Sequence, residues 1–323
     1  MPGPTRDEPA PGAGDGTVRG ALGQVGPDLP APSETVTVAG VGGVGLVCDV
    51  WDGAQSGVVL VHGLASNARL WDGVAAELWR LEDAVCTVDL RGHGRSDKPD
   101  TGYDMATVAD DLVAVLDYLR SRDPRSWRRP VVAGQSWGGN VVVELAARHP
   151  SAVCGVVGVD GGVIELAERF ADPDDVRRVL APPAIAGMPG AALERAIRQA
   201  HPGWTDLAIA GTMANVEWRP DGTVAPWLTL DRHLQVLDGL WAHRPSEVFP
   251  HLVVPVLLLM VDDGHADGWA AGKRSAVERA VAGAGTGARV RWFAPADHDV
   301  HAQQPVAVAE EIASAVAQWS GGD

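Results

Sequence analysis

The chain reads as an α/β protein in which a mostly parallel sheet is covered by helices on both faces. Two observations predict this class. Short valine-rich segments alternate along the chain with stretches of helical periodicity, the pattern of repeated βαβ units. The helical stretches between them are also long enough for βαβ crossovers, which leave a mostly parallel sheet covered on both faces.

The elements follow in order. Residues 35–38 and 46–50 read as two strands joined by a glycine-rich turn, and 58–61 as a third strand ending at His62-Gly63. Then come a helix at 70–81, a strand at 85–88, a helix at 108–119, the apolar Pro130-Val131-Val132 of a short strand before Ser136, a helix at 140–148 and a strand at 153–159. From 163 to 250 the rhythm breaks into short helical pieces punctuated by prolines, among them Pro173, Pro182, Pro189, Pro202, Pro220 and Pro226, with no strand pattern. A strand at 256–261, a helix at 275–281, a strand at 290–293 and a closing helix at 306–319 restore it. The expected division is therefore a Pro/Gly-rich disordered tail at 1–32, a core at 33–162 and 251–323, and a helical insertion at 163–250.

Composition narrows the partners. With 42 Asp and Glu against 26 Lys and Arg, a net charge of −16 disfavours sustained contact with nucleic-acid phosphates or anionic lipid. No apolar run in the tail could serve as a signal-peptide core or a membrane span, and a cytoplasmic protein, monomer or homodimer, is expected. Cys48, Cys86 and Cys154 lie in apolar segments, and their odd number argues for buried thiols in a reducing compartment rather than a disulfide framework. Gly40-Val41-Gly42-Gly43-Val44-Gly45 matches the dinucleotide fingerprint by letter, but a strand follows it where the fingerprint needs a helix N-terminus. A hairpin turn is the expectation there.

Chemistry concentrates at Gly134-Gln135-Ser136-Trp137-Gly138-Gly139. Here a Gly-x-Ser-x-Gly pentapeptide sits where a buried strand turns into a helix, the context of a nucleophile elbow. A serine hydroxyl needs a base within hydrogen-bond reach and a third group to orient that base. His298, in the loop after the last strand, is the expected base for Ser136, with His301 a structural neighbour. Asp262 is the first choice for the orienting carboxylate, at the tip of the strand ending at Val261. Asp263 beside it and Asp160 at the end of the earlier strand stay open, while Asp297 and Asp299 sit too close to His298 in the chain for an in-plane bond.

Two backbone N–H groups should hold the oxyanion: Trp137, directly after the nucleophile, and Leu64, in the loop where Gly63 lets the backbone turn. His62 is expected to brace that loop. Ser96, in the polar turn Asp89-Leu90-Arg91-Gly92-His93-Gly94-Arg95-Ser96, lacks the second glycine of an elbow and is expected to be structural. The histidines lack metal-ligand spacing, so no metal is expected.

Taken together, Val61-His62-Gly63-Leu64-Ala65-Ser66-Asn67, the Asp89 to Ser96 turn, the elbow, and His298 seven residues before Pro305 resemble the α/β-hydrolase superfamily from about residue 34 to 320. The resemblance implies an eight-stranded, mostly parallel sheet, a helical cap inserted after the sixth strand, a triad in chain order Ser, acid, His, and no cofactor. Many members carry Gly-x-x-Asp after the seventh strand, and Leu259-Met260-Val261-Asp262-Asp263-Gly264 lacks the leading glycine. Some relatives supply the acid from the sixth strand, which keeps Asp160 in view. Serine rather than aspartate at the elbow points away from the epoxide hydrolase and haloalkane dehalogenase branches.

The expected function is hydrolysis of a carboxylic ester or lactone through an acyl-enzyme on Ser136. Trp204, Trp218, Trp227 and Trp241 in the cap point to an apolar or aromatic small-molecule substrate. An acyltransferase or perhydrolase would use the same residues. A non-catalytic ligand-binding protein on the same fold would be expected to lack a triad member.

Overall fold

A computed structural model of the chain describes residues 30–264, 268–285 and 287–320, so residues 1–29 of the expected tail lie outside the described residues. Strands β1 (Glu34–Ala39) and β2 (Gly45–Trp51) pair antiparallel across a tight turn in which Gly42 and Gly43 take φ of 71° and 78°. The glycine cluster at 40–45 is thus a hairpin turn, as its sequence context predicts.

From β3 (Gly57–Val61) the βα rhythm begins: α1 (Asp72–Arg80), β4 (Ala84–Val88), α2 (Met105–Arg122), β5 (Val131–Gln135), α3 (Trp137–Arg148) and β6 (Gly155–Val159). The segment after β6 holds α4 (Pro173–Val179), α5 (Gly190–Ala200), α6 (Asp206–Met213), β7 (Val216–Trp218), β8 (Val224–Pro226), α7 (Leu230–Ala242) and α8 (Pro245–Val248). The chain then returns through β9 (Val256–Val261), α9 (Gly268–Gly283), β10 (Ala288–Phe293), α10 (Val300–Gln303) and α11 (Pro305–Trp319).

Eight strands form one sheet in the order β1-β2-β4-β3-β5-β6-β9-β10. The pairs β1·β2 and β2·β4 are antiparallel and the rest parallel. Alternate side chains of the central strands feed opposite cores: Val59 and Val61 pack with α2 and α3, and Val58 and Leu60 with α1 and α11. Two-sided burial is why these strands are apolar throughout and show no alternation.

The inserted segment contains the antiparallel pair β7·β8, which the sequence pattern did not predict. Three residues per strand are too few for a period of two to register, and Pro226 reads as a breaker. The pair is fixed by packing: a Cβ on Gly190 would overlap the Trp218 ring, so the indole lies flat on the start of α5. The insertion sits over the carboxyl ends of the strands. There Asn67 donates to Gly211 O (2.8 Å) and Asn215 Oδ1 (2.5 Å), Arg232 to Pro99 O (3.0 Å) and Gln235 to Asp100 O (2.9 Å).

Cys48, Cys86 and Cys154 are buried free thiols. Among the described residues no helix is long and apolar enough to cross a membrane.

Candidate active site

Ser136 occupies the single residue between β5 and α3, at φ 52° and ψ −121°. That left-handed region is costly for a side chain other than glycine and persists where the surroundings impose it. Three close approaches impose it here. A Cβ on Gly134 would overlap the Gly138 carbonyl, one on Gly138 would overlap His62 O, and one on Gly139 would stand 2.6 Å from Gly162 N. Strand, helix and the loop after β6 therefore meet with no room for side chains, and the turn holds the Ser136 side chain at the strand tip. Trp137 opens α3, so its N–H belongs to the first turn, where no carbonyl of the helix can accept it.

The loop after β3 runs beside this turn, and a Cβ on Gly63 would lie 3.2 Å from that of Ser136. Two buried histidines hold it. His62 donates from Nδ1 to Gly63 O (2.7 Å) and accepts the Leu90 N–H at Nε2 (3.0 Å). His93 donates from Nδ1 to Arg91 O (2.9 Å), accepts the Ala65 N–H at Nε2 (3.2 Å), and stacks on Trp137 with ring centres 5.4 Å apart. Complete burial lowers both imidazoles below their ordinary value, which keeps them neutral and suited to accept at Nε2. His62 is thus the brace its position predicts, and His93 is a second one that links Ala65, next to Leu64, to Trp137.

The turn carrying His93 is built around Asp89, which accepts from Ala68 N (2.8 Å) and Arg95 Nε (2.9 Å). Ser96 donates to Asp89 O (2.5 Å) and accepts from Val47 N (2.8 Å), the structural role expected of it.

His298 lies between β10 and α10, on a loop bonded to the elbow's neighbour through Gln135 Nε2 to His298 O (3.3 Å). Its Nδ1 is 2.6 Å from Asp160 Oδ2. A carboxylate only accepts, so Nδ1 carries the proton and Nε2 is left as the basic nitrogen. The side chain is 54% exposed, and its Asp160 partner is 2% exposed.

The acid that meets His298 is thus Asp160, at the tip of β6, and not Asp262. Asp160 takes φ 41°, which swings its carboxylate across the end of the neighbouring strand β9, where Oδ1 accepts the Val261 N–H at 3.2 Å. Asp262 instead accepts the Gly264 N–H (3.0 Å) and pairs with Arg274.

Burial would raise the Asp160 carboxyl, but hydrogen bonds and charge from His298 and Lys273 outweigh it and hold the group below its ordinary value. Desolvation would lower His298, but the Asp160 bond and charge outweigh it, aided by Asp299, and the imidazole is raised. His301 is fully buried, packs tilted against Trp71 with ring centres 4.4 Å apart, and is driven down to about 3 by burial, so it is neutral packing.

Sequence reasoning missed two further residues. Lys273 on α9 reaches Asp160, with Nζ 2.8 Å from Oδ1 and 3.0 Å from Oδ2. Asn140 on α3 accepts from Gly162 N (2.9 Å) and donates to Ile164 O (2.7 Å), pinning the loop that follows Asp160. The glycine pair Gly161-Gly162 after Asp160 was the available signal: a Cβ on Gly161 would overlap Ser136 O, so the two loops touch.

The cap tryptophans divide. Trp218 is 51% exposed, Trp227 lies under Lys98, and Trp241 donates to Phe170 O (3.1 Å). Trp204 stacks on His201, whose Nδ1 lies 3.5 Å from the Asp297 carboxylate beside His298. Among the described residues no group of three or more His, Cys, Asp or Glu side chains is arranged to hold a metal ion.

A profile described as the Alpha/beta hydrolase family matches residues 58–311, most of the chain. The chain belongs to that family. As an α/β hydrolase it is 34% identical over 113 residues to an uncharacterised protein of Mycobacterium tuberculosis, a match covering 34% of this chain and 30% of that one. It is 35% identical over 123 residues to a monoacylglycerol lipase of Mycolicibacterium smegmatis, covering 37% of this chain and 43% of the lipase. The matched segments thus span less than half the length of these relatives. Among solved structures, that of E-2-(acetamidomethylene)succinate hydrolase aligns with a TM-score of 0.68 at 23% identity, over 87% of this chain and 98% of that one. That likeness is one of fold.

Proposed function

We propose that this α/β hydrolase cleaves carboxylic esters or lactones with Ser136 as nucleophile, His298 as base and Asp160 as the acid that orients it. The observation that carries the reading is the 2.6 Å bond from His298 Nδ1 to Asp160, made by a loop that also bonds the residue before Ser136. In the first half-reaction Ser136 Oγ attacks the acyl carbon while His298 Nε2 takes its proton. The N–H groups of Leu64 and Trp137 receive the oxyanion, and the imidazolium gives its proton to the departing alcohol. Water, activated by the same nitrogen, then releases the acid. The likeness to a lipase supports an ester as the substrate. An apolar acyl or aromatic group is assigned on Leu64 beside the elbow and Trp204 beside the His298 loop.

The test is labelling by a fluorophosphonate probe, followed by rates on p-nitrophenyl esters of increasing chain length beside lactones and amides. Labelling abolished by Ser136→Ala, with turnover of the esters, is expected. An unlabelled parent protein would sink the enzyme reading in favour of a ligand-binding one. Labelling without turnover of the esters or lactones would move the second step to an acceptor other than water.

A further inference from the structure

We propose that Lys273 is a positioning residue of this site: it fixes the Asp160 carboxylate against His298 and opposes the charge of the imidazolium. The inference rests on the assignment of Ser136, His298 and Asp160 as the triad. Its basis is a complete set of bonds around one ammonium. Lys273 Nζ has three N–H donors and three acceptors, at 2.8 Å and 3.0 Å on the two oxygens of Asp160 and 3.2 Å on Val261 O. The carboxylate is matched as fully. Oδ1 receives Lys273 and the Val261 N–H, and Oδ2 receives Lys273 and His298. With every position occupied, the plane of the carboxylate is fixed, and with it the direction of the Oδ2 lone pair that the imidazole takes.

The position of Lys273 follows from the fold. The β9 loop leads into α9, and consecutive residues of that helix take the two carboxylates at this edge of the sheet, Lys273 pairing with Asp160 and Arg274 with Asp262. Lys273 also bonds the end of β9 itself, at Val261 O.

A cation on the acid has two opposite effects on the base. It preserves the geometry of the Nδ1 bond, and it disfavours the imidazolium, so His298 loses its proton at a lower pH than the Asp160 pair alone would dictate. Charged and titratable groups reach His298 from each surrounding element. Asp160 after β6, Lys273 on α9, Asp299 on its own loop and His301 on α10 act on it directly, while His201 from the insertion meets Asp297 and Asp299, and His62 after β3 meets His301. In this set Lys273 opposes the pull of Asp160 and Asp299.

The pH dependence of kcat/KM on p-nitrophenyl acetate separates this role from a merely structural one. Lys273→Met is expected to move the acid limb upward by about one pH unit, so that the rate at pH 6 falls about tenfold. Lys273→Arg, which keeps the charge, is expected to return the limb toward the parent position. If Lys273→Met loses the cooperative thermal transition of the parent, Lys273→Gln provides a neutral donor in its place, and its limb must also rise. A neutral variant whose limb stays at the parent pH while fluorophosphonate still labels Ser136 overturns the inference and leaves the triad standing. Failure of the parent protein to label overturns the triad reading instead.

Discussion

At the scale of the residue, the partner of His298 is decided by which carboxylate can face it. Asp160 and Asp262 both end parallel strands at one end of the sheet, on the neighbouring strands β6 and β9. Asp160 turns through a positive φ and bonds Nδ1, whereas Asp262 turns to Gly264 and Arg274. Asp160→Asn is therefore expected to lower kcat by about 10⁴-fold, as for a triad acid whose loss leaves the wrong tautomer. Asp262→Asn should leave kcat near the parent value. Steady-state rates of the two variants on one ester decide the point, and a larger loss at Asp262 would return the role to the β9 loop.

At the scale of the element, the site is where three loops are pressed together by glycines. The elbow, the loop after β3 and the loop after β6 approach so closely that Gly138, Gly139 and Gly161 leave no space for a methyl group against the facing backbone. Gly161→Ala would drive a Cβ into the Ser136 carbonyl and stand 2.7 Å from its amide nitrogen. The obstacle is backbone, which cannot rotate aside, so the expected cost is about 2 kcal/mol or more, with slower labelling of Ser136. Thermal unfolding of the variant checks the first part; an unchanged melting temperature would mean that the loop after β6 has room to move. The elbow was legible because its glycines lie within one pentapeptide. The role of Gly161 was hidden because it answers a contact with a residue on another strand.

At the scale of the whole molecule, an acidic chain of net charge −16 also buries carboxyls that bind protons in the folded state. Burial raises Asp83 to about 7, and burial, offset in part by Arg69, raises Asp72 to about 7. For such a group the folded pKa lies above the unfolded one. Between about pH 4 and 7 the native state holds more protons, and the group's contribution to stability falls as pH rises through that window. Asp83→Asn should remove one such penalty. The variant is expected to be more stable than the parent by about 2 kcal/mol at pH 8, with the difference vanishing near pH 4. Denaturant unfolding at the two pH values measures it, and a constant difference would show that Asp83 ionises freely.

The sequence by itself determined the fold class, the hairpin at 40–45, and Ser136 and His298 as candidate nucleophile and base. Each is written in residues close along the chain, where period, glycine spacing and strand ends are physical constraints on a few neighbours. Only the tertiary structure decided that Asp160 faces His298, that Lys273 holds Asp160, that His93 braces both the Leu64 loop and Trp137, and that Trp204 stacks on His201 while Trp227 meets Lys98 and Trp241 meets Phe170 O. Apart from the Trp204 stack, those contacts join residues dozens to more than a hundred positions apart. Strand order, side-chain direction and the φ of a single residue set them, and none of these leaves a periodic trace in the chain.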